Sequence, residues 1–87
     1  MRDIKELIGA LMCVTGGGEI AEAEITDLAF DADGELLAAL NTAYIGLLEF
    51  VHDQGVRGAD PDLDRKSRGE LKELLDRIVV LCDPAAP

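Results

Sequence analysis

The chain has 87 residues, so it holds one domain at most, near the lower limit of sizes that fold alone. Its formal net charge is −10, and no Lys or Arg falls between Lys5 and Arg57 while seven acids fall in Glu19 to Glu35. That field argues against nucleic-acid recognition by phosphate neutralisation and against an anionic membrane surface, and it favours a basic partner or plain solubility.

Apolar residues make up 48% of the chain but aromatics only 3% (Phe30, Tyr44 and Phe50), so the core must be aliphatic. Abundant Leu, Ala and Glu favour helix over sheet. The expected fold is all-α, a three- or four-helix bundle as a single domain over 1–83 with a frayed tail at 84–87; the alternative is α+β with a hairpin at about 25–40. Cys13 and Cys82 lie in apolar stretches near opposite ends. They read as two small buried hydrophobes in a reducing cytosol, with a disulfide between terminal helices as the alternative. There is no CxxC and only one histidine, His52, so no structural zinc and no cofactor is expected.

Residues 3–14 fit an amphipathic helix, with Asp3 as cap and Ile4, Leu7, Ile8, Leu11 and Met12 at three- and four-residue spacing. The segment LIGALMCV is short and apolar before a cysteine, as in a lipoprotein signal. Asp3 and Glu6 precede it, however, and Leu11-Met12 is too bulky for a cleavage site, so the chain is expected to be cytoplasmic. No apolar run approaches the ~20 residues of a spanning helix. Gly16-Gly17-Gly18 closes the first helix; without a following Lys-Ser/Thr it is no phosphate-binding loop.

Residues 20–30 are ambiguous. As a helix, Ala21, Ile25, Leu28 and Ala29 share a side; as a strand, Ala21, Ala23, Ile25 and Ala29 alternate with Glu22, Glu24 and Thr26. Ala and Glu form helices better than strands, which tips the balance to helix. The clearest element is 36–54. Leu37, Leu40, Tyr44, Leu47 and Val51 make a stripe widened by Leu36, Ala43, Leu48 and Phe50, with Asn41, Thr42, Glu49, His52 and Asp53 opposite and Ile45 exceptional. So apolar a helix must be the central element. Asp33 is its expected cap, and Gly55, left-handed, its stop, with Val56 folding back on the last turn.

Residues 56–61 read as a loop. The last helix begins either at Asp60-Pro61, tolerating Gly69, or near Arg68 after the capping-box pattern Ser67 to Glu70. Its apolar face is Leu71, Leu74, Leu75, Ile78, Val79 and Cys82, joined by Leu63 if the helix is continuous. Asp62/Lys66, Asp64/Arg68, Lys72/Asp76 and Glu73/Arg77 are four-residue ion pairs of a solvated face. The acids interleaving Arg65, Lys66 and Arg68 argue against a nucleic-acid patch there.

ITDLAFDADGELLAA, residues 25–39, is similar to one hairpin of a WD-repeat propeller blade: apolar strand, Phe, a turn with Asp-Gly, then a Leu-Ala strand. A blade takes about 40 residues and no repeat recurs here, so no propeller is expected. An EF-hand register with Gly34 at position six places Asp31 and Asp33 at three and five. It also places Ala29 and Leu40 where ligands are required, so no calcium site is expected. One histidine on a polar helix face, with no nucleophile context, makes no enzyme.

Two functions remain. One is a small acidic interaction module, a regulator or accessory subunit, self-associating as a homodimer through Leu36, Ile45 and Leu48. The other is an acidic inhibitor occupying a basic site on its target, as immunity proteins and phage-encoded nucleic-acid mimics do. In either, the residues expected to meet a protein partner are Glu22, Glu24, Asp27, Asp31, Asp33 and Glu35.

Overall fold

The first helix, α1 (Arg2–Thr15), sends Ile4, Leu7, Leu11 and Val14 to one side, all of them buried. It ends as its glycines predict. The Gly18 N–H reaches back to the Cys13 carbonyl (2.9 Å) and the Gly17 N–H to that of Val14 (3.2 Å), with Gly17 at φ 102°. That pairing satisfies two terminal carbonyls, and only glycine takes the left-handed turn without strain. A Cβ on Gly18 would lie 2.7 Å from Cys13 Sγ, so the loop passes tightly over the helix it closes.

These features belong to a computed structural model describing residues 2–82, an all-α fold of four helices among the described residues. The expected domain end at 83 and the tail at 84–87 lie outside them. After α1 come one 3₁₀ turn (Glu22–Glu24), α2 (Gly34–His52), the short α3 (Gln54–Ala59) and α4 (Pro61–Cys82).

α2 is the central element and packs against α1, α3, α4 and the 3₁₀ turn. Ala39, Leu40, Ala43, Leu47 and Phe50 are its buried residues; Leu36, Tyr44 and Leu48 sit half-buried at the margin. By length and composition α2 also meets the bare requirement for a membrane span, contrary to the expectation that no run comes near it. Its most apolar stripe nevertheless lies inside the bundle. Fully burying an aliphatic such as Leu7, Leu11, Leu40, Leu47 or Ile78 contributes roughly 1.5–3 kcal/mol each.

α4 begins at Pro61 and runs unbroken through Gly69, so the start near Arg68 is not used. Asp60 Oδ1 accepts the N–H groups of Asp62 and Leu63, both at 3.2 Å, which caps the helix where Asp-Pro predicts. Leu71, Leu75 and Ile78 are buried, whereas Val79 and Cys82 are exposed.

Several expectations are overturned. Neither a hairpin nor a helix covers 20–33. Apart from the 3₁₀ turn the segment is irregular, and Ile25 is its one fully buried side chain, so no apolar face runs along it to anchor a regular element. Asp3 does not cap α1. It lies inside the helix, and its Oδ2 accepts the Ala29 N–H at 2.9 Å. Asp33 holds the N-cap position of α2 but makes no side-chain cap bond. Gly55 is not left-handed and 56–61 is no simple loop: the chain breaks at Asp53 and turns at once into α3, leaving Val56 58% exposed. Both cysteines are free and exposed, not buried.

Candidate functional site

Two charged regions flank α2. The front one is the arm of residues 20–33. Ile25 fills the core with 1% exposure, and its carbonyl accepts the Tyr44 hydroxyl at 2.7 Å. Phe30 meets the Tyr44 ring edge-on, with centroids 5.8 Å apart. The Asp3–Ala29 bond ties the arm to α1. Mainly neutral contacts therefore fix its path.

The arm's own acids point outward: Glu22, Glu24, Asp27, Asp31, Asp33 and Glu35 are all exposed. Glu24 is engaged locally, accepting the Ala21 N–H at 2.6 Å, and Glu22 lies 3.2 Å from His52 Nε2. Asp27 holds φ 63°, a left-handed position that Asp tolerates better than most residues. The structure thus brings the six expected contact residues onto one arm and the first turn of α2.

The expected self-association residues differ in exposure. Ile45 is 57% exposed, while Leu36 and Leu48 are half-buried against their own core.

The rear region went unseen in the sequence. Arg57 on α3 is only 2% exposed. Its guanidinium stacks on Phe50, 3.3 Å from the ring centroid, and donates to the Phe50 carbonyl from Nε (3.0 Å) and Nη2 (2.7 Å). Nη1 donates to Asp64 at 2.7 Å, and Nη1 and Nη2 together hold Glu19 at 3.2 and 3.1 Å. Arg68 completes the knot: Nε donates to Asp64 (2.9 Å), Nη1 to the carbonyls of Val14 (2.6 Å) and Gly18 (2.7 Å), and Nη2 to Glu19.

The charges hold one another ionised. The Arg57 bond, helped by that of Arg68, pulls the Glu19 carboxyl below its ordinary 4.5 against the opposing effect of burial. Arg68, then Arg57, pulls Asp64 below its ordinary 3.8. Burial alone would lower the Arg57 guanidinium, but its bonds to Glu19 and Asp64 outweigh that and push it up. Two carboxylates thereby clamp the end of α1, the end of α2, α3 and the start of α4.

The Asp64–Arg68 pair, expected on a solvated face, is instead half of this knot. Lys72–Asp76 forms on the exposed face at 2.7 Å, and Asp62 meets Arg65 instead of Lys66. Arg57 was legible only as the cation of a loop seven residues after Phe50 and seven before Asp64. Nothing local announces that Glu19, 38 positions earlier, meets it. Beside the knot lies an open cavity of about 480 Å³ lined by Glu19, Gln54, Arg57, Gly58, Pro61, Asp64 and Arg68. Among the described residues no cluster of His, Cys, Asp or Glu is placed to hold a metal ion. Comparison with protein families, with characterised proteins and with solved structures finds no match to this chain.

Proposed function

We propose that this chain is a small acidic protein-interaction module, a regulator or accessory subunit, that docks through its front arm onto a basic surface of another protein. The observation that carries the reading is the division of labour between the two charged regions. Arg57 and Arg68 are consumed inside the fold, and residues 20–33 contain no Lys or Arg of their own to offset the arm's acids. An arm fixed by Ile25, Tyr44 and Asp3 presents its carboxylates with little ordering left to do on binding. If the basic surface is a catalytic or nucleic-acid site, the same docking makes the chain an inhibitor.

Affinity capture from native lysate, followed by salt titration of the captured complex, tests the reading. Replacing Glu22 and Glu35 by Gln and Asp31 and Asp33 by Asn should weaken the complex by about tenfold or more at low salt and flatten its salt dependence. Unchanged affinity in that variant would sink the proposal. Self-association is the second reading, favoured by the exposed Ile45, and a concentration-independent monomer in sedimentation would remove it.

A further inference from the structure

The rear knot contains a ligand-binding geometry as well as a clamp. Both guanidiniums are positioned by contacts that do not involve Glu19. Arg57 is held by the Phe50 ring, two bonds to the Phe50 carbonyl and one to Asp64. Arg68 is held by Asp64 and by the carbonyls of Val14 and Gly18. What these leave over is one N–H on each of Arg57 Nη1 and Nη2 and the two on Arg68 Nη2, and all three nitrogens donate to the Glu19 carboxylate.

Glu19 is the loosest member. Its side chain is 38% exposed, against 1% for Arg57, and rotation of that side chain alone would carry the carboxylate into water with no change in the backbone. Its departure would open the donors onto the adjoining cavity of about 480 Å³, where Gln54, Gly58 and Pro61 complete the wall.

We propose that the Arg57–Arg68 pair is a receptor for a single carboxylate, that Glu19 is its resident and displaceable occupant, and that the cavity takes the body of a carboxylate-bearing ligand. The charge count selects the ligand class. With Glu19 gone, two guanidiniums face Asp64 alone, leaving one positive charge for one monoanion; a phosphate dianion would leave excess negative charge beside Asp64. The donors match as well, because a guanidinium edge takes the two oxygens of a planar carboxylate side by side. The chain's net charge of −10 repels any anion, so binding by this site should tighten as salt screens the field, the reverse of the front arm's behaviour. This inference is independent of the front-arm reading.

The test is chemical rescue. Glu19→Ala and the near-isosteric Glu19→Gln are melted in sodium acetate and in sodium chloride at matched ionic strength, beside the wild type. Acetate at about 100 mM should raise the Glu19→Ala melting temperature by about 5 °C more than it raises the wild type's, saturably, and adding Arg57→Lys should abolish the excess. If Glu19→Ala is unfolded in chloride, recovery of helical circular dichroism in acetate supports the site and failure to recover overturns it. Equal responses to acetate and chloride in both Glu19 variants also overturn it. Peptides with a free and with an amidated C-terminus, compared with small monocarboxylates on Glu19→Ala, separate the two sources. Preference for the free-acid peptide over both points to a protein tail, and preference for a small acid points to a metabolite.

Discussion

The two charged regions beside α2 carry charge in opposite ways. At the front, acids stand in water on an arm whose course is set mainly by Ile25, Phe30 and Tyr44. At the rear, two acids and two arginines are drawn together against Phe50, and the chain's course there is set by the ions themselves. Similar residues therefore serve unlike ends. The carboxylates of Asp27, Asp31, Asp33 and Glu35 can be neutralised without touching what holds the arm, whereas the loss of one rear cation strands its partners.

The sharpest way to break the comparison is Arg57→Ala. It leaves Glu19 and the Phe50 carbonyl short of donors and uncovers the Phe50 ring, so it should cost about 3–5 kcal/mol in urea unfolding. A loss below about 1 kcal/mol would mean that the knot is ornamental.

Acid should act next, through the two rear carboxylates. Glu19 and Asp64 have folded-state pKa values below their ordinary 4.5 and 3.8. Their stabilising contribution is thus fully present above those values. It fades as pH falls below them and is gone once pH passes below the depressed folded values. Melting followed from pH 6 to 2 should show this decline in the wild type, and a shallower one in Glu19→Gln. Identical slopes would contradict the coupling.

The smallest effect probes the front. Tyr44→Phe removes the bond to the Ile25 carbonyl but keeps the ring against Phe30, and should cost about 1 kcal/mol. Hydrogen exchange should localise the loosening to the arm and leave the end of α1 and the start of α4 as protected as before.

This contrast also explains what the sequence reveals. The helices and the core were legible because periodicity, Asp60-Pro61 and the three glycines act within a few residues. Leu40, Leu47, Leu71 and Ile78 go where their spacing sends them. The arm defeated periodic reading because Ile25 is its one fully buried side chain, and a single anchor has no period. The short α3 hid behind Gly55 and Gly58, glycines that mark a stop in a sequence but here sit in helical backbone. The front acids were legible as exposed because nothing nearby could neutralise them. The rear knot was not, since the bonds that tie Arg57 and Arg68 to Glu19, Val14 and Gly18 span 38 to 54 positions, a range over which charge patterning carries no signal.

The central claim is that the front acids are spared by the fold and the rear ions are not. It is met most directly by the melting temperature of the variant with Gln at 22 and 35 and Asn at 31 and 33, measured beside Arg57→Ala. The front variant should melt at or above the wild-type temperature, because self-repulsion falls and only the exposed Glu22–His52 pair is altered, while Arg57→Ala melts far below it. A front variant that loses as much stability as Arg57→Ala would show that these acids hold the fold together and are not available to a partner.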